Sequence, residues 1–246
     1  MVNIVIYADF ASPACYLASR RVDALIAAGI EVEWRAVEWD PRIPATGSSL
    51  VGGELETEVR RLSRLLLPSE TLPWSGPRIV PNTQAAISGY AEAHRAGVGD
   101  DVRRLLYSAY WVDGIDIGSP KELWPRLSGP IMRGHSESWP LRESGYAIAM
   151  SGGPVTTGAW RCINAWREEW AGLGTREVPA LVAGAGSAVT GETALRWLEK
   201  ELIRHHAMTD PQLPEPSRYP PVVVRPHQTW VSQVGGTWAN AWKAGS

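Results

Sequence analysis

Asn3-Ile4-Val5-Ile6-Tyr7-Ala8 runs directly into Asp9-Phe10-Ala11-Ser12-Pro13-Ala14-Cys15-Tyr16-Leu17-Ala18. The first six residues form a short, mostly apolar and β-branched run, which predicts a buried strand. Asp9 to Ala11 is a turn. Ser12 is suited to cap a helix and Pro13 to occupy its first position, where the missing N–H costs nothing. Cys15, Leu17, Val22, Leu25 and Ile26 follow a loose helical period, and Gly29 closes the segment. Ile30 to Val37 then alternates through Ile30, Val32, Trp34 and Ala36, predicting a second strand. A strand, a helix and a strand within about 35 residues make a βαβ unit, so the two strands should be parallel.

Beyond this unit the pattern changes. Pro41 to Gly53 is rich in Pro, Gly, Ser and Thr and reads as loop. Glu54–Leu67, Asn82–Ala96, Asp100–Trp111, Pro120–Leu127, Pro140–Met150 and Thr156–Ala171 read as helices. Ser119-Pro120-Lys121-Glu122 is a capping box. Strand character returns at Ala180–Ala183 and Ser187–Thr190 around Gly184-Ala185-Gly186, a hairpin signature, and Glu192–His205 is a last helix. The tail beyond it carries six prolines and the tryptophans Trp230, Trp238 and Trp242. It is too apolar for a free tail and is expected to pack on its own subunit or on a neighbour, which makes a homodimer an expectation.

The 246 residues carry a formal net charge of −2 and 44% hydrophobic residues, enough for a sizeable core. That balance argues against a disordered chain, and the mild acidity argues against nucleic acid as the main partner, which needs a concentrated basic surface. Two cysteines cannot make a disulfide framework. The N-terminus has no basic and apolar leader, and no run of 18 apolar residues occurs, so we expect a cytoplasmic protein with no membrane span. Phosphate-loop, dinucleotide, hydrolase-elbow and zinc spacings are absent from the sequence, and no metal is expected. His205 and His206 are adjacent and share no helix face, and His94 and His135 have no ligand partners at useful spacing.

A βαβ unit, a helical block, then a helix, a hairpin and a helix is the element order of a thioredoxin-like fold split by a helical insertion. That α/β reading gives a thioredoxin-like domain at residues 1–40 and 155–206, a helical insertion at 41–154, and an extended Pro-rich arm at 207–246. The chain resembles the DsbA-like branch of the thioredoxin superfamily, with FrnE-like proteins, 2-hydroxychromene-2-carboxylate isomerases and kappa-class glutathione transferases nearest. Four stretches carry the resemblance: Ser12-Pro13-Ala14-Cys15-Tyr16-Leu17-Ala18; Val32-Glu33-Trp34-Arg35; Asn82-Thr83 with Ala86, Leu106-Tyr107-Ser108-Ala109-Tyr110-Trp111 and Asp116-Ile117; and Val178-Pro179-Ala180-Leu181. The insertion is most similar to FrnE-like proteins. Serine at position 12 is similar to the isomerase and kappa-transferase branch, where redox members have cysteine.

The resemblance implies that the Ser12 hydroxyl faces the thiol of a bound co-substrate, glutathione or mycothiol, at the first turn that includes Pro13. Cys15 would hold the position of the resolving cysteine. Pro179 would be the cis-proline facing that turn, with Val178 offering backbone groups to the ligand, and Asn82 would contribute from the insertion. Glutathione-using members carry an Asp-Arg-like pair after the second hairpin strand. Glu192 and Thr193 stand there in this chain, and Ala36 replaces a proline of the isomerases. The missing first cysteine rules out a dithiol cycle between positions 12 and 15.

Each residue also has a plainer reading. Ser12 serves as a helix cap, Cys15 and Cys162 as buried apolar groups, and Asn82 as the cap of its own helix. The tryptophans are packing residues, with Trp111 and Trp124 as candidates for lining an apolar pocket. Two functions therefore stand: a thiol-dependent oxidoreductase, transferase or isomerase acting on a small electrophilic or disulfide substrate, or a non-catalytic binding or scaffolding protein that keeps the fold.

Overall fold

The computed structural model describes residues 4–49, 53–72, 79–134, 148–184 and 186–206. Strand β1 (Ile4–Ala8) lies in the middle of a four-stranded sheet of order β2-β1-β5-β6. It pairs in parallel with β2 (Val32–Ala36), Ile4 against Val32 and Ala8 against Ala36. On its other side it runs antiparallel to β5 (Ala180–Ala183), with Ile4 against Ala183 and Tyr7 against Ala180. Strand β6 (Val189–Thr190) returns antiparallel to β5. A central strand is covered on both faces, which is why β1 is mostly apolar rather than alternating.

Helix α1 (Pro13–Ala27) connects the parallel pair. Ser12 is its N-cap and Pro13 its first residue, and Gly29, at φ +81°, turns the chain out of it in a conformation that favours glycine. Its buried residues include Cys15, Leu17, Val22 and Leu25, and it packs on the last helix, α7 (Gly191–Arg204).

Between β2 and β5 lie α2 (Glu54–Leu62) with a following 3₁₀ turn, Ser63–Leu65, then α3 (Gln84–Arg95), α4 (Gly99–Trp111), α5 (Pro120–Arg133) and α6 (Thr157–Gly172). Helix α3 is the hub, packed by α4, α5 and α6. Gly89 makes the α5 contact possible, since a Cβ there would collide with Leu127 Cδ1.

Several sequence expectations need correction. The segment read as loop contains a short strand, β3 (Ser48–Ser49), which pairs antiparallel with β4 (Ile79–Val80). Two-residue strands whose partners lie 30 and 32 positions apart leave no local period to read. Helix α5, which already holds Pro125, runs on past Leu127 through Pro130 to Arg133. Leu123, Leu127, Pro130 and Ile131 are buried on one face, and that packing outweighs the two backbone bonds the prolines remove. Most of the helix expected at 140–150 lies outside the described residues, and Ile148 to Met150 are not helical. His135, residue 185 of the hairpin turn and the 207–246 arm also lie outside them.

No helix among the described residues is long and apolar enough to cross a membrane. Nor do the described residues include a group of three or more His, Cys, Asp and Glu side chains able to hold a metal ion.

Candidate active site

Ser12 sits where β1 has ended and α1 begins, with φ −89° and ψ 125°. Its Oγ accepts the Cys15 backbone N–H at 3.3 Å and also lies within hydrogen-bond reach of the Cys15 sulfur. Cys15 is fully buried, and that burial pushes its thiol up to about 12, against the lowering effects of Ser12 and the Asp9 backbone. It is therefore a thiol at neutral pH and unreactive toward solvent. Replacing Ser12 by Ala removes the cap and should cost about 1 kcal/mol in urea unfolding. An unchanged midpoint and slope would mean that the Ser12 oxygen contributes nothing as a cap.

The Val178-Pro179 peptide bond is cis. Continuing the β1–β5 register by one residue sets Pro179 opposite Ala8, four positions before Ser12. The Gly191 N–H donates to the Pro179 carbonyl at 2.9 Å, so α7 starts against the cis-proline. Glu192 follows, 3.5 Å from Arg61 Nε, and Thr193 is exposed. Thus Ser12, Pro13, Cys15, Val178, Pro179 and the Glu192-Thr193 pair gather at one end of the sheet.

Asn82 reaches this end indirectly. Its Oδ1 accepts the Gln84 N–H at 3.0 Å and its Nδ2 donates to the Ile43 carbonyl at 2.8 Å. The cap position of α3 is Thr83 rather than Asn82, and the Thr83 hydroxyl donates to Asp9 Oδ2 at 3.0 Å. Trp111 is buried against Tyr16 and its Nε1 donates to the Phe10 carbonyl at 3.0 Å, so it packs the turn rather than lining a pocket. Trp124 Nε1 donates to the Ile148 carbonyl at 2.8 Å. Cys162 is half-buried on α6.

Sequence reading missed Asp9 and Glu177. Asp9 is 4% exposed and accepts from Ala11 N–H at 2.8 Å, Trp39 N–H at 2.8 Å and Thr83. Burial pushes its carboxyl up to about 6 despite these bonds. Beside it, burial also raises Glu38 above the ordinary carboxylate value, and Glu38 bonds Asn82. Glu177 lies over the start of α7: a Cβ on residue 191 would collide with its Oε1, and Thr190 donates to its Oε2 at 2.6 Å. Only Asp9 carried any local signal, as a polar residue directly after a buried strand. A cavity of about 720 Å³ exists elsewhere, lined by Ile26, Val32, Trp34, His94 and Val98 at the opposite end of the strands, and no residue of the Ser12 turn enters it.

Residues 3–125, half of the chain, match the family model of the DSBA-like thioredoxin domain. The chain belongs to the DSBA-like thioredoxin family. Solved structures share its fold. A probable DsbA oxidoreductase from Streptomyces coelicolor is 18% identical, with a TM-score of 0.57 over 84% of this chain and 90% of that one. A 2-hydroxychromene-2-carboxylate isomerase is 16% identical, with a TM-score of 0.54 over 82% and 95%. The cytosolic disulfide reductase DsbM from Pseudomonas aeruginosa, solved with GSH, is 15% identical, with a TM-score of 0.53 over 82% and 99%. No curated protein matches the chain. Oxidoreductases and an isomerase thus share this DSBA-like fold.

Proposed function

We propose that this DSBA-like protein binds a low-molecular-weight thiol, glutathione or mycothiol, at the Ser12 turn and presents it to a small electrophilic or disulfide substrate. One observation carries the reading: a hydroxyl stands at the N-terminus of α1, at the sheet end that holds the cis-proline, while the chain's own thiol at Cys15 is withdrawn and un-ionised. The partial positive charge of a helix N-terminus favours a thiolate, and a hydroxyl donor favours it further. The DsbM structure solved with GSH supports testing glutathione. At the start of α7, Glu177 and Glu192 lie beside the Arg61 guanidinium, so the far end of a bound thiol would meet charges of both signs there.

A second reading has its own observation. Ser12 has one hydroxyl proton. Given to an incoming sulfur it supports catalysis, whereas given to the Cys15 sulfur it leaves Ser12 a cap and the protein a binding or scaffolding module. Calorimetric titration with each thiol, followed in parallel by tryptophan fluorescence, separates the two. Saturable binding that weakens at least several-fold in Ser12→Ala is the expected result. Silence toward both thiols up to millimolar concentration would leave the scaffold.

A further inference from the structure

We propose that Asp9 is a positioning residue of the Ser12 site: its buried carboxylate ties the Ser12 turn to the segment after β2 and to the first turn of the helical insertion, and its ionisation sets the reactivity of a sulfur held at residue 12. This rests on the reading of the Ser12 turn as the site.

The geometry is a three-way clamp. Oδ1 takes the Ala11 N–H, one residue before Ser12, and Oδ2 takes both the Trp39 N–H and the Thr83 hydroxyl. These donors lie in the β1–α1 turn, after β2 and before α3, segments that come together only in the folded chain. The Asp9 backbone works in the same place: its carbonyl accepts from Ser12 N–H at 3.3 Å and from the Tyr107 hydroxyl at 3.2 Å. The titratable groups acting on Asp9 are acids, Cys15 from α1, Glu38 from the segment after β2, and Tyr107 and Tyr110 from α4, while Arg167 of α6 acts on Glu38 beside it. Among the described residues no cation pairs with Asp9, so its charge is met by hydrogen bonds alone.

An amide cannot replace this group. Asparagine would turn an N–H toward the Trp39 N–H or the Ala11 N–H, and one leg of the clamp would be lost. The charge matters as well. Burial holds the carboxyl at about 6, so it changes state just below neutral pH, three residues from the candidate sulfur position. The sign is fixed. A carboxyl raised in the native state disfavours the folded protein when ionised, so its contribution to stability improves as pH falls from about 6 toward the unfolded value. The fold keeps an ionisable group at a place where ionisation costs stability, as sites tuned for chemistry do.

The test needs no ligand. Ser12→Cys in a Cys15→Ser background places a reporter thiol at the site. Its alkylation by iodoacetamide is followed from about pH 5 to 8 by mass spectrometry of the peptide holding residue 12, which separates it from Cys162. The rate constant, corrected for thiolate fraction, should show a several-fold step near pH 6. Asp9→Asn should abolish the step. Thr83→Val, which removes one donor from the carboxylate, should move it upward by roughly one pH unit, and Thr83→Ser should leave it in place. A parent without the step, a step that survives Asp9→Asn, or a Thr83→Val profile like the parent's overturns the proposal. Should Asp9→Asn fail to fold, the two Thr83 variants decide, since a merely structural role would not move the step while keeping it. If the step is present but the wild type binds neither thiol, the functional reading fails and the positioning role stands.

Discussion

Arg21→Ala should lose about 3–5 kcal/mol of stability, and the melting temperature should fall by roughly 10 °C. Arg21 lies in the middle of α1, and neither its side chain nor that of Glu70 exposes any surface. The guanidinium grips the carboxylate with two bonds, Nε to Oε1 at 2.9 Å and Nη2 to Oε2 at 2.8 Å. It also donates to the carbonyls of Leu195 at 2.6 Å and Leu65 at 2.5 Å, while Glu70 accepts the Leu67 N–H at 2.8 Å. One ion pair thus joins α1, α7 and the segment after α2, the seam between the sheet domain and the first part of the insertion. Truncating the arginine strands a carboxylate and two carbonyls without water, and the desolvation penalty is what unfolding relieves. Glu70→Ala should cost about as much, because it strands the guanidinium. The double replacement Arg21→Met with Glu70→Leu should cost clearly less than the sum of the singles, since no charge is left unpaired. Urea unfolding of the four proteins decides. Single variants within about 1 kcal/mol of wild type would mean that the pair is not closed in solution.

How this pair and the clamp at Asp9 escape sequence reading has one physical cause. Strand β1, helix α1, strand β2 and the hairpin declare themselves locally, by period, by cap and by glycine. The Ser12 cap could be named from residues that stand side by side, and the Val178-Pro179 pair from the family resemblance. Arg21 and Glu70 are 49 positions apart, and a charged residue inside an amphipathic helix is by default on its wet face. Asp9 meets Trp39 and Thr83 across 30 and 74 positions. Such polar contacts are made only after the sheet and the insertion have come together, so no window of neighbouring residues contains them. The extension of α5 past Leu127 through Pro130 belongs to the same class: propensity stops the helix, and burial of Leu127 and Ile131 carries it on. The family resemblance located Ser12 and Pro179 and was silent on what fastens them, and Asp9 and Glu177 became visible only with the geometry.

Ser12→Cys, with Cys15 intact, should turn a protein with negligible dithiol activity into a working one, raising dithiothreitol-driven insulin reduction by at least roughly tenfold over wild type. Everything except the first sulfur is already in place. Position 12 is the N-cap of a 15-residue helix, so a cysteine there faces unpaired N–H groups and the positive end of the dipole, which lower a thiol into the neutral range. The Ser12 oxygen is already within hydrogen-bond reach of the Cys15 sulfur, so a sulfur replacing it starts close to its partner. Cys15, buried and held up to about 12, is unreactive toward solvent on its own but can attack a mixed disulfide formed at position 12. The division of labour is a half-buried, ionised thiol that opens the substrate disulfide and a fully shielded thiol that resolves it, with dithiothreitol closing the cycle. Adding Cys15→Ser to Ser12→Cys should return turnover to background by removing the resolving thiol. Vigorous wild-type turnover would refute the premise that serine at position 12 blocks the cycle. An inactive Ser12→Cys protein with both thiols free by mass spectrometry would show that these two positions do not present a bondable pair, and the whole case for a redox-derived site at this turn would go with it.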